Sequence, residues 1–97
     1  MPKTKEKQNI ENLARKLQVA SDPNRLKILC YLFTAKMACV SAIAEKLGIS
    51  VATTSYHLQA LEKEGLLEPE RDGKRICYTV SKVGLMADLK KFICKYK

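Results

Sequence analysis

The chain has 97 residues, 46% of them hydrophobic, so it makes one small domain whose core is marginal unless a partner buries more surface. Lys and Arg number 18 against 10 acidic residues, and the resulting formal charge of +8 points to a polyanion, either nucleic acid or an anionic membrane surface. No run approaches the ~20 apolar residues of a membrane helix, and the start MPKTKEKQN lacks an apolar signal core, so a cytosolic protein with no membrane partner is expected. In a reducing compartment Cys30, Cys39, Cys77 and Cys94 are expected as thiols, metal ligands or redox groups rather than as a disulfide framework.

Residues 1–8, with Lys3, Lys5 and Lys7, read as a flexible basic tail, and residues 9–97 as a single domain. Ile10, Leu13, Ala14, Leu17 and Ala20 recur at helical spacing, so a first helix ending at Ser21 presents one apolar stripe. Asp22 followed by Pro23 starts a second helix, because proline lacks the N–H that the first turn leaves unpaired and its φ is already helical. That helix runs to about Phe33 with Leu26, Leu29, Cys30 and Phe33 inward, so Cys30 in LKILCYLF reads as packing material.

Val40, Ile43, Ala44 and Leu47 form another helical stripe, Gly48-Ile49-Ser50 interrupts it, and helical periodicity resumes from Val51 to Lys63. Two short helices joined by a glycine turn are a helix-turn-helix. Gly48 supplies a positive φ, Ala44 is small where the helices cross, and Ser50 caps the second helix. Thr54, Leu58 and Leu61 face inward. Ala52, Thr53, Ser55, Tyr56 and Gln59 are left on an outer face that carries no charge until Glu62, a surface suited to the major groove.

Leu67 to Arg71 and Lys74 to Val80 read as strands separated by the hairpin-forming pair Asp72-Gly73, with Pro69 restricting the first to an edge. Alternation turns Ile76, Tyr78 and Val80 inward and gathers Arg71, Lys74 and Arg75 at the tip, a basic wing for the phosphate backbone or minor groove. Ser81 caps a last helix whose apolar face, Leu85, Leu89, Phe92, Ile93 and Tyr96, is too large to leave wet on a monomer. The first helix has the same surplus. The expected fold is therefore mainly α with a small β-hairpin wing, a winged helix-turn-helix of five helices forming a two-fold homodimer through the first and last.

The run CVSAIAEKLGISVATTSYHLQALEKEGLLEPERDGKRICYTVS, with SDPNRLKIL before it, resembles the ArsR/SmtB-type winged-helix repressors over roughly Ile10 to Tyr96. The resemblance implies a homodimer on an inverted-repeat operator, two recognition helices entering major grooves about 34 Å apart. It places groove contacts at Val51, Ala52, Ser55 and Tyr56, although Val51 and Ala52 stand where the family often has polar residues. His57 matches a position that is often His or Gln; it flanks the buried face and reads as structural, and with no nucleophile pair evident the chain is not read as an enzyme.

The family senses metals, arsenicals or reactive sulfur and oxygen species. Where one of its metal sites has Cys-Val-Cys, this chain has Cys39-Val40-Ser41, and a single thiolate is too few for a soft trivalent ion unless thiols from elsewhere complete the site. Residues 81–97 contain Asp88 but no histidine, so the family's last-helix zinc site is absent, and no CxxC pair suggests structural zinc; no metal or cofactor is expected. KILCYLF and KFICKYK resemble the two places where sulfide- and persulfide-responsive members carry reactive cysteines, which makes Cys30 and Cys94 the implied redox-sensing pair and a reactive sulfur species or other oxidant the implied effector. Lys90, Lys91 and Lys95 surround Cys94 with charge that favours a thiolate, while Cys30 is the sheltered resolving thiol. Cys39, partly exposed, and Cys77, outward on the wing, are expected to be bystanders. Two other readings stay open: a metal- or metalloid-responsive repressor with a different cysteine set, and a winged-helix module that binds DNA or protein nonspecifically.

Overall fold

The computed structural model describes the backbone of residues 2–96 and the side chains of residues 10–96. Its elements are α1 (Pro2–Ala20), α2 (Pro23–Ala35), β1 (Met37–Cys39), α3 (Val40–Leu47), α4 (Val51–Lys63), β2 (Leu67–Asp72), β3 (Arg75–Val80) and α5 (Gly84–Ile93), closed by a 3-10 turn at Cys94–Tyr96. This is the five-helix winged helix-turn-helix expected from the sequence. The backbone of α1 is helical from Pro2, in keeping with the helix-favouring Lys, Glu and Gln of that segment. The side chains of Lys3, Lys5 and Lys7 lie outside the described residues.

Local signals set the helix ends. Asp22 accepts from the N–H groups of Asn24 and Arg25, capping α2 with Pro23 in its first turn. Gly48, at φ 72°, ends α3 and donates its N–H to Ala44 O. Ser50 accepts from Thr53 N–H at 3.0 Å to start α4. Ser81 was expected to cap the last helix and does not: its N–H is still tied to Leu66 O, and Val83 is the N-cap, without a side-chain cap bond.

The core lies between α2, α4, the sheet and α5, with Ile28, Leu29, Leu32, Leu58, Leu61 and Leu66 fully buried. On α2 the buried stripe is Ile28, Leu29 and Leu32, so of the expected inward set only Leu29 is fully buried, and Leu26, Cys30 and Phe33 are half-buried. LKILCYLF is apolar nearly all round and offers two overlapping stripes; the sheet and α4 select the one containing Ile28 and Leu32.

The wing has three antiparallel strands in the order β1-β3-β2, because Met37–Cys39, too short to show a period, pairs with β3. Pro69 therefore sits on an edge strand, as its missing N–H requires. The hairpin register joins Asp72 to Arg75, so the two turn residues are Gly73 and Lys74, one position later than expected, with Gly73 at φ 65°.

Candidate nucleic-acid interface

Helix α4 is sharply two-faced. Thr54, Leu58 and Leu61 are fully buried, and Thr54 also donates its hydroxyl to Ser50 O at 2.8 Å, so the inner face is held by packing and by a bond to the turn. The opposite side leaves Val51, Ala52, Thr53, Tyr56 and Gln59 exposed, with Ser55 half-buried. Ser50 Oγ also donates to Thr53 Oγ1 at 2.9 Å, which places both hydroxyls at the N-terminal end of this face.

Tyr56, 66% exposed, is held from behind. The Arg25 guanidinium lies 5.6 Å from its ring centroid, and the same guanidinium donates its Nε–H to His57 Nδ1 at 2.9 Å. His57 is buried, its Nε2 4.0 Å from the Asp22 carboxylate. The N-terminus of α2 is thus bonded to the middle of α4. His57 has the structural role expected of it; Arg25 was not picked out from the sequence, since His57 stands 32 positions away.

Arg71, Lys74 and Arg75 are all exposed around the hairpin tip. Arg75 also reaches back, donating Nη2–H to Cys39 Sγ at 3.3 Å.

The four cysteines fall into two groups. Cys30 is half-buried and opens onto a cavity of about 1080 Å³ that is also lined by Leu17 of α1 and by Leu89, Phe92 and Ile93 of α5. Cys94, half-buried, is the C-terminal cap of α5, next to Ile93. Cys39 and Cys77 correct the sequence reading. Neither is exposed; they stand opposite each other in the β1–β3 register, both buried, and are joined by a disulfide. Alternation does place Cys77 on the sheet face away from Tyr78, but that face is covered here because Cys39 projects onto it. Among the described residues no three His, Cys, Asp or Glu side chains are grouped to hold a metal ion, and no helix is long and apolar enough to cross a membrane.

A winged helix-turn-helix is also what comparison with known proteins finds. The profile of the family described as "Bacterial regulatory protein, arsR family" matches residues 22–68. The HTH-type transcriptional regulator YgaV of Escherichia coli K12 is 33% identical over 87 residues, covering 87% of this chain and 88% of YgaV. The chain belongs to the arsR family.

Among its relatives, the cadmium resistance transcriptional regulatory protein CadC of Listeria innocua is 39% identical over 69 residues, 71% of this chain; the chain spans 58% of the length of that relative. A solved structure described as the homodimeric winged helix-turn-helix DNA-binding domain of Mb0332 from Mycobacterium bovis, a possible ArsR-family regulator, superposes with a TM-score of 0.73 at 30% identity, covering 89% of this chain and 75% of that one. The matched relatives are named as regulators, in line with the non-enzymatic reading of this arsR-family chain. The profile takes in Asp22, Arg25, Cys30, Cys39 and all of α4 but stops at Glu68, so most of the wing and Cys94 lie beyond it.

Proposed function

We propose that this chain is a transcriptional repressor that binds an inverted-repeat operator as a homodimer and is released when an oxidant joins Cys30 to Cys94. The observation that carries the DNA reading is the outer face of α4: Val51, Ala52, Thr53, Tyr56 and Gln59 stand exposed on a helix whose other side is fixed in the core, beside the basic tip of Arg71, Lys74 and Arg75. In this reading Ser50, Val51, Ala52, Thr53, Ser55, Tyr56 and Gln59 enter the major groove, and the tip holds the backbone.

Dimerisation is supported by the apolar residues that the single chain leaves in water: Ile10, Leu13 and Leu17 on α1, and Phe92 and Tyr96 at the end of the chain. The homodimeric Mb0332 domain supports the same assembly. Oxidation removes two hydrogens from the two thiols and passes them to a polysulfide or peroxide, which is reduced; the new bond ties α2 to the end of α5 and alters the spacing of the two recognition helices. Support for this pair is the cavity shared by Cys30 and α5 and the resemblance to persulfide-responsive members.

The test is to select the operator from random duplex, treat the dimer with polysulfide, and read intact mass alongside operator binding. The parent should gain a Cys30–Cys94 link and dissociate, while Cys30→Ser and Cys94→Ser should stay bound. Dissociation of both variants like the parent sinks the thiol reading. The similarity to CadC gives a second reading, release by a soft metal ion, and cadmium added in place of polysulfide separates the two.

A further inference from the structure

Cys39 and Cys77 lie apart from both the DNA-facing helix and the Cys30–Cys94 pair. They are directly opposed in the β1–β3 ladder with Cα atoms 3.7 Å apart, so their side chains share one sheet face. The same face carries Arg75, two positions before Cys77 on β3, and Glu70, opposite Cys77 on β2. The two sulfurs therefore have different neighbours. Cys39 has a guanidinium N–H 3.3 Å from Sγ and is the N-cap of α3, and both the cation and the helix N-terminus stabilise an anionic sulfur. Among the described residues no such cation bonds the sulfur of Cys77, which is more deeply buried and stands opposite Glu70 in the β2–β3 register, all of which favour its neutral thiol. Chemistry thus assigns Cys39 as the attacking sulfur and Cys77 as the resolving one.

We propose that Cys39 and Cys77 form a second dithiol–disulfide redox site, one that takes a small-molecule disulfide as oxidant and sets how strongly the wing holds the DNA backbone. The Cys39 thiolate attacks R–S–S–R, forming the mixed disulfide Cys39–S–S–R and expelling RS⁻. Cys77 gives up its proton and attacks the Cys39 sulfur, forming the Cys39–Cys77 bond and expelling the second RS⁻. Two protein sulfurs are oxidised and one external disulfide is reduced; one RS⁻ takes the proton from Cys77 and the other takes from solvent the proton that Cys39 lost on ionising. Both sulfurs are buried, which selects a small reagent over a protein thiol. In the compartment that holds DNA, thiols are kept reduced, and a disulfide there is a transient, redox-sensing bond rather than a staple.

The consequence for DNA rests on the repressor reading above. With the disulfide formed, Arg75 Nη2–H lies 3.3 Å from Cys39 Sγ, so a Cys39 thiolate in the reduced chain would pair with the same guanidinium and neutralise one of the three basic side chains at the tip. In the disulfide that sulfur carries no charge and accepts only a weak hydrogen bond from Arg75, which the guanidinium exchanges for the stronger charge-assisted bond to a phosphate. The bond also ties the entry of the helix-turn-helix to the central wing strand. Oxidation at this site therefore strengthens operator binding, the opposite sign to oxidation at Cys30 and Cys94.

The experiment uses the full chain carrying Cys30→Ser and Cys94→Ser, reduced or treated with oxidised glutathione, with intact mass and operator affinity measured over a salt series. The expected result is loss of two hydrogens per chain, restored by dithiothreitol. Binding should tighten by roughly 3- to 10-fold, and the slope of log K against log salt should steepen by about 2, one added phosphate contact per subunit of the dimer. Adding Cys77→Ser should leave a glutathione adduct on Cys39, whose own net negative charge replaces that of the thiolate beside Arg75, and so no tightening. Failure of the bond to form, or a bond with unchanged affinity and slope, overturns the proposal, and so does tightening that survives Cys77→Ser. Should no duplex bind in either state, the repressor reading fails and the wing effect with it, while the mass result still decides the redox pair.

Discussion

Arg25 of α2 donates its Nε–H to His57 Nδ1 of α4 at 2.9 Å, bonding the helix that carries Cys30 to the helix that carries the outer face. His57 is only 8% exposed, so a lost donor is not replaced freely by water. Arg25→Ala should cost about 1–3 kcal/mol, the penalty for an unsatisfied buried nitrogen, seen as a fall of several degrees in melting temperature. It also removes the cation behind the Tyr56 ring, so operator affinity should fall by more than the stability loss explains. Arg25→Lys keeps the charge without the planar fork and should restore only part of each. Full recovery by lysine would mean that charge alone holds the helices together.

The dimer prediction follows from exposure. Leu13 is 40% and Phe92 62% exposed on the single chain, values expected of residues awaiting a partner. Leu13→Lys combined with Phe92→Lys should convert the dimer to a monomer in sedimentation while leaving the helical circular dichroism intact, since neither residue is in the core. Operator affinity should then drop by about 100-fold or more, because the second half-site no longer binds as part of the same molecule. A dimer that survives both substitutions places the interface elsewhere.

Local features of the site were legible in the sequence, and long-range ones were not. Asp22-Pro23, Gly48 and Ser50 act on backbone within a few residues, so their roles follow from residue type and spacing; Thr54, Leu58 and Leu61 follow from helical period. The same reasoning placed Ser81 as a cap, because it could not see the bond from Ser81 N–H to Leu66 O that keeps the chain extended. Met37–Cys39 is three residues long and has no period to read, and without β1 nothing brings Cys39 to Cys77, 38 positions on. Arg25 carries no local signal of its role, which arises only when α4 packs beside it. The sequence determines each of these pairings through the packing of the whole core, not through any window that contains both partners.

On the DNA-facing surface, the recognition helix and the wing should fail differently. Tyr56→Ala should weaken operator binding by about 1–3 kcal/mol and reduce the preference for operator over random duplex, as expected when a groove-facing side chain is lost. Lys74→Ala, at the hairpin tip, should weaken both duplexes about equally and lower the salt slope by roughly 1 per contact removed. Anisotropy titrations on two duplexes at three salt concentrations distinguish the patterns. If Tyr56→Ala behaved like Lys74→Ala, α4 would be reading backbone and not bases.

Tyr78 gives a pH prediction whose sign can be worked out. It lies on β3, buried, and its hydroxyl donates to Glu62 Oε1 of α4 at 3.3 Å. Burial, then the negative charge of Glu62, then that hydrogen bond, all raise its pKa above the ordinary tyrosine value of 10.0. In the unfolded chain the phenol ionises near 10, so above that pH the unfolded state holds fewer protons than the native state, and stability falls as pH rises. The contribution is complete below the unfolded value and is lost as pH climbs through the raised folded one. Tyr78→Phe removes both the titration and the bond to Glu62, so near neutral pH it should be less stable than the parent by about 0.5–1.5 kcal/mol. Urea unfolding of the two proteins between roughly pH 8 and pH 11.5 should show that gap close above about 10, the lysines titrating equally in both and cancelling. A gap that stays constant across the range would mean that the hydroxyl ionises as freely in the folded protein as in the unfolded chain, and the wing would not be locked to α4 through Glu62.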